Sequence, residues 1–134
     1  MANNKLVLDE EVLSVVKEVK LVLEVARSNV ARQVNSELLN TYWNIGRIIC
    51  EHEQSNPERA DYGKQTLKEL AKELTKEFGK GFSVSNIQFM RRFYQTYQIQ
   101  QTVSVKLSWS HYCELMSISD SYKRSFYEKE AVNS

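Results

Sequence analysis

The chain has 134 residues and a mass of 15.7 kDa, enough for about one domain with a single sizeable core. Its composition is 42% hydrophobic and 26% charged with only 4 Gly and 1 Pro, too apolar for disorder and too poor in turn residues for a hairpin-rich β fold. A net charge of +1 excludes a polycationic nucleic-acid coat, and two cysteines, Cys50 and Cys113, cannot build a disulfide framework and read as reduced cytoplasmic thiols. No apolar run exceeds three residues, so no membrane partner is expected, and Met1-Ala2-Asn3-Asn4-Lys5 is not a targeting signal.

From Val12 the apolar positions run Val12, Val16, Val19, Leu23, Ala26, Val30, Val34, Leu38, Tyr42, Ile45 and Ile49, every step three or four residues. That spacing predicts one long helix over about residues 9–52, straight or bent at Ser28-Asn29 or Asn35-Ser36, where weak helix formers sit. If straight, the stripe spans roughly 57 Å at 1.5 Å per residue, longer than a compact domain of this size. Part of it therefore needs a partner, and Val12, Val16, Val19, Leu23, Ala26 and Val30 are the predicted oligomer interface.

A polar loop follows, Gln54 to Asp61 with Pro57. The second helix carries Leu67, Leu70, Ala71, Leu74 and Phe78 on one face; on the other, Lys64, Lys68, Lys72 and Lys76 stand four apart beside Glu69, Glu73 and Glu77. Such rows read first as a solvated face with cross-row pairs. Gly79-Lys80-Gly81-Phe82 supplies a stop, and Ser83 an N-cap. The third helix, Val84 to Tyr97, places Ile87, Met90, Tyr94 and Tyr97 inward, with Phe89 and Phe93 widening the face and Arg91 at its border; Ser85, Gln88, Arg92 and Gln95 lie opposite. The stretch 100–106, with Val103 and Val105 alternating, predicts a short strand or a two-stranded wing at about residues 99–107. Ser108 or Ser110 caps a helix with Tyr112, Leu115 and Met116, and Asp120 a last one with Tyr122, Phe126 and Tyr127.

Charge is unevenly spread. Residues 61–100 carry 7 Lys/Arg against 4 Asp/Glu, and no acidic side chain stands between Glu77 and Glu114. A polyanion meets least repulsion there. Two helices joined by a glycine turn, the second with a polar, basic outer face, match a helix-turn-helix. Arg92 suits guanine, Gln88 or Gln95 adenine, while Lys80, Ser83, Ser85, Arg91 and Lys106 complete the predicted DNA-binding set. The competing reading is plain helical packing.

No catalytic, metal or cofactor site is predicted, nor a small-molecule substrate. Cys50-x-His52 and His111-x-Cys113 hold their residues two apart, which diverge by about 200° on a helix and cannot chelate. Glu18-Val19-Lys20 has the letters of a nuclease Glu-x-Lys pair but lies in the first helix, where those side chains diverge in the same way.

Eight blocks then follow one another as in a known family: Asn35-Ser36-Glu37-Leu38-Leu39, Tyr42-Trp43-x-Ile45-Gly46, Tyr62-Gly63, Gly81-Phe82-Ser83, Asn86-Ile87, Met90-Arg91-Arg92-Phe93, Leu107-Ser108-Trp109-Ser110-His111 and Arg124-x-Phe126-Tyr127. Over Val12 to Ala131 the chain resembles the N-terminal domain of the YhcG-like bacterial nuclease family, although it lacks the family's proline before Gly81 and has Gln98 where a proline is usual. The resemblance implies an all-α helical domain with a long N-terminal helix and a helix-turn-helix or winged-helix-like core. It implies one module over residues 1–134, with the helix-turn-helix at about 64–98, C-terminal helices at about 109–131, and the PD-(D/E)XK nuclease domain outside this chain. Its expected function is non-catalytic, binding DNA or assembling a nuclease; expected partners are DNA, a second copy in a homodimer, or the C-terminal nuclease domain.

Overall fold

The computed structural model describes residues 2–55, 60–100 and 103–134, leaving aside the side chains of residues 2–8 and 60–62. Five α-helices are described: α1 Ala2–Gln54, α2 Ala60–Phe78, α3 Val84–Thr96, α4 Trp109–Met116 and α5 Ser121–Asn133. Among the described residues there is no strand. Val103 is a bend and Val105-Lys106 a turn, so the alternation of two valines is not backed by a pairing partner among the described residues, and Gln101 and Thr102 of the expected wing lie outside them. Much of the loop expected at Gln54 to Asp61, Pro57 included, also lies outside them. No described helix is long and apolar enough to cross a membrane.

The chain divides into two units, Met1–Val34 and Asn35–Ser134. The described residues of the first unit are helix alone, and every residue from Asp9 to Val34 is exposed. Helical bonding continues through Ser28-Asn29, where Arg32 donates to Asn29 Oδ1 at 3.0 Å and to Ser28 Oγ at 3.5 Å and so supports the turn that the weak formers leave soft. The apolar residues described from Val12 to Val34 are unpartnered, Val12 at 56%, Val19 at 50% and Leu23 at 53% exposure among them.

The second unit holds the core. Leu39, Tyr42, Trp43 and Cys50 of α1, Leu67 and Ala71 of α2, Ile87, Met90 and Phe93 of α3, and Tyr112, Leu115 and Met116 of α4 are buried together with Leu107. The seam that α1 buries keeps Tyr42, Ile45 and Ile49 of the expected continuation, with Tyr42 buried and the two isoleucines packed on the core. It centres on Leu39, Trp43, Gly46 and Cys50, flanked by Tyr42, and Leu38 stays 37% exposed. Gly46 sets this register, because at that point α1 lies against the Met90 carbonyl with no room for a side chain. Phe78, expected inside, is exposed and tilts against Phe82 across the turn.

The last helix, α5, carries Tyr122, Phe126 and Tyr127 exposed, while Ala131 and Val132 pack on the core and Arg124 and Glu128 are half-buried. Asp120 caps the helix through Tyr122 and Lys123 N–H, and Arg124 Nη1 donates to the Ile118 carbonyl at 3.1 Å. With Arg124 turned toward the 117–120 turn, the aromatic row falls on the outer side.

Tyr97 and Tyr112 stack edge to face at 5.3 Å near the base of α4. Burial, offset in part by the hydrogen bond to the Ser104 carbonyl, pushes Tyr112 from its ordinary value of 10 up to about 12. Burial, and then the adjacent Glu128 carboxylate, pushes Tyr97 up as well, and its buried hydroxyl lacks a partner in good bonding geometry. In the unfolded chain both phenols ionise near pH 10, so the unfolded state sheds protons first above that value. Stability present at pH 8 to 9 is lost as pH rises through 10 toward about 12. Urea melts at pH 8, 10 and 11 should show this decline, and an unchanged midpoint across that series would contradict it.

Candidate nucleic-acid interface

The turn between α2 and α3 follows from local chemistry. α2 ends where Gly79 takes φ +83°, and Gly81 at φ +104° completes the reversal, both in the left-handed region that side chains avoid. Ser83 then caps α3, accepting from Asn86 N–H at 3.1 Å. Asn86 completes the junction. Its amide donates to the Gly81 carbonyl at 2.6 Å and its Oδ1 accepts from the Trp109 indole at 2.8 Å, so one side chain fastens the turn to α3 and α3 to α4.

Ile87, Met90 and Phe93 are buried and hold α3 from beneath, Phe93 at centroid distances of 5.0 Å from Tyr112 and 5.1 Å from Trp109. The opposite row, Ser85, Gln88, Arg92 and Gln95, is exposed along its whole length. Arg92 leans over the half-buried Phe89 ring, 5.7 Å from its centroid, an arrangement that restrains the guanidinium without consuming its hydrogen-bond donors. Lys80 is exposed at the turn, and Ser83 is exposed with its oxygen engaged in the cap.

Two predicted members sit in different surroundings. Arg91 is half-buried against α1, its Nε 2.8 Å from both Glu53 carboxylate oxygens, so its charge is already matched. The acid-free window of the sequence therefore does not persist in space on that side, because α1 brings Glu53 into it. Lys106 is exposed in a turn that Asn35 of α1 clamps by donating to the Val105 and Leu107 carbonyls at 3.0 and 2.9 Å. Asn35, Glu53 and Asn86 are the positioning residues that spacing alone did not single out. Asn35 and Asn86 did stand within the resembling blocks.

On α2, Lys64, Lys68, Lys72 and Lys76 are exposed, as are Glu69, Glu73 and Glu77. Among the described residues the ion pairs at bonding distance are Arg47–Glu51 and Arg91–Glu53, so the expected cross-row pairs are not closed. His111 serves as a cap: its Nδ1 accepts from Ser108 N–H at 3.2 Å while Ser108 Oγ accepts from His111 N–H. Burial pushes the Cys113 thiol up to about 11 and raises Cys50, the latter against the opposing pull of Arg91. Both are free, and among the described residues no group of three or more His, Cys, Asp or Glu could hold a metal ion. A hollow lined by Ser36, Leu39, Asn40, Trp43, Gln100, Val103 and Val105 has room for about 130 Å³, well below what a nucleotide-sized ligand occupies.

The family model for the DUF1016 N-terminal domain matches residues 18–134. The chain is 34% identical over 139 residues to a protein of Escherichia coli (strain K12) named "Putative nuclease YhcG", an alignment that covers 80% of this chain and 37% of that protein. The chain thus spans well under half the length of this relative. No solved structure gives a significant match. With a match over most of its length and a relative at this identity, the chain belongs to the DUF1016 N-terminal domain family, the YhcG-like family.

Proposed function

We propose that the chain is a non-catalytic, cytoplasmic DNA-binding module in which α2, the Gly79–Phe82 turn and α3 act as a helix-turn-helix, winged-helix-like core, with α3 entering the major groove. The observation that carries this reading is the exposed row Ser85, Gln88, Arg92 and Gln95, which holds donors and acceptors but no acid and is backed by a rigid buried face. The word nuclease in the relative's name gives such a module a use, the delivery of nucleic acid to a cleaving domain. Lys80 and Ser85 meet phosphates near the helix start, and Arg92 meets a base edge. Lys106 contributes from its own turn. Arg91, paired with Glu53, orients α3 rather than touching DNA.

A DNA titration at two salt concentrations tests this. With three to five cationic contacts per copy, binding should be of the order of micromolar at low salt and should weaken steeply as salt rises. Arg92→Ala should weaken it by about 1–3 kcal/mol, whereas Lys68→Ala on α2 should change little. Unchanged binding by a folded Arg92→Ala protein, or salt-insensitive wild-type behaviour, would remove the helix-turn-helix reading. Cleavage of DNA by the chain with Mg²⁺ or Mn²⁺ would remove the non-catalytic part.

One observation favours a second reading, assembly: the aliphatic side chains of residues 12–34 are exposed and unpartnered. A helix that presents so much apolar surface associates with another helix, either a second copy or the C-terminal nuclease domain.

A further inference from the structure

We propose that residues 12–33 of α1 wind with two further copies of the chain into a parallel, in-register, three-stranded coiled coil. The inference rests on the assembly reading and gives it a partner, an orientation and a stoichiometry.

The period comes first. Val12, Val16, Val19, Leu23, Ala26 and Val30 alternate in steps of four and three, the 3.5-residue repeat of helices wound on helices. Written as heptads, Val16, Leu23 and Val30 are a positions and Val12, Val19 and Ala26 are d positions. The seam closes at polar residues on both sides, Asp9 at a and Gln33 at d. All of these side chains are exposed.

The side chains select the number of strands. Two-stranded coils favour a β-branched residue at a with leucine at d, but here valine stands at both, in Val16 and Val30 and again in Val12 and Val19. β-Branched residues at both positions shift the preference to three or more strands. Val15 and Val22, at g, extend the apolar sector on one flank, so each helix can meet two neighbours. The other flank carries Leu13, Lys20 and Arg27 at e, and the charges of Lys20 and Arg27 oppose the wider burial a fourth strand would need along the coil.

The same flanks select the orientation. In a parallel register g faces the neighbour's e, so Lys20 lies over Val15 and Arg27 over Val22, each laying its methylenes on valine with its charge in water. Antiparallel packing sets e against e and brings Lys20 toward Arg27, two cations.

The test uses the whole chain. Sedimentation equilibrium should give three times the 15.7 kDa mass of one chain. Val16→Cys should form a disulfide-linked pair under mild oxidation, which wild type, with Cys50 buried and Cys113 half-buried, should not. Val19→Glu with Leu23→Glu should return the mass to one chain while the near-ultraviolet signal of Trp43 and Trp109 in the second unit is unchanged, separating dissociation from misfolding. A wild-type chain that stays at one-chain mass at high concentration overturns the assembly reading and this inference with it. An associating chain in which Val16→Cys does not cross-link to itself, but does to Gln33→Cys, which antiparallel packing sets opposite it, overturns the parallel orientation alone. A two-chain mass with Val16→Cys cross-linked overturns the three-stranded stoichiometry alone.

Discussion

Gly46→Ala is expected to destabilise the second unit by about 3 kcal/mol, a large share of the roughly 5–15 kcal/mol that holds a typical domain folded. A Cβ at position 46 would stand 2.0 Å from the Met90 carbonyl oxygen, 2.8 Å from its carbon and 3.1 Å from Tyr94 Cβ. The two closest atoms are backbone, in the middle of α3, and cannot rotate away. The α1–α3 crossing must therefore open, which pulls on the Trp43–Tyr94 ring contact at 5.2 Å and the Arg91–Glu53 pair at 2.8 Å. Gly63→Ala is the internal control: nothing lies within 4 Å of a Cβ there, and alanine is the better helix former by about 1 kcal/mol. Urea melts followed by tryptophan fluorescence should move in opposite directions for the two variants, and a Gly46→Ala midpoint equal to wild type would show that the crossing is looser than its geometry implies.

That crossing also explains which parts of the fold were legible in the sequence. Local signals were readable: the glycine stop after Phe78, the Ser83, Ser108 and Asp120 caps, and the buried trio Tyr112, Leu115 and Met116 all depend on residues within one turn of each other. Which face of a helix goes inward was less so. The apolar stripe of α1 holds at Tyr42, Ile45 and Ile49, yet burial also takes in Leu39, Gly46 and Cys50, because the smallest residue marks where another backbone approaches and periodicity of large side chains carries no such information. On α5 the helical spacing assigned no face, and its aromatic row lies outward while Arg124 is tied to the Ile118 carbonyl.

The exposed row on α3 was legible because helix geometry alone sets Ser85, Gln88, Arg92 and Gln95 opposite Ile87 and Met90. Its electrostatics were only half legible. A count along the chain cannot see that Glu53, 38 positions away in sequence, meets Arg91. For the same reason the long-range ties made by Asn35 and Asn86 carry no signature in spacing.

Phe93→Ala is expected to cost about 3–5 kcal/mol, and it separates the support of the candidate interface from the interface itself. Phe93 is fully buried at the meeting point of three rings, with Tyr112 at 5.0 Å, Trp109 at 5.1 Å and Tyr97 at 5.6 Å. Its removal leaves a cavity that α4 can collapse into only by breaking the Asn86–Trp109 hydrogen bond at 2.8 Å, so relaxation is poor and the loss falls at the high end of that range. Phe93→Leu keeps much of the volume and should cost no more than about half as much. The neighbouring Arg92 points the other way, and its truncation should leave the urea midpoint within about 0.5 kcal/mol of wild type. The two positions therefore give opposite signatures under the proposed function: Phe93→Leu lowers stability while the folded protein keeps its DNA affinity, and Arg92→Ala lowers affinity while stability holds. Denaturation and DNA titration on the same preparations measure both. If Phe93→Leu weakened DNA binding as much as Arg92→Ala did, binding would depend on the packing of the whole helix rather than on its outward row, and Arg92 would lose its place as the reading residue.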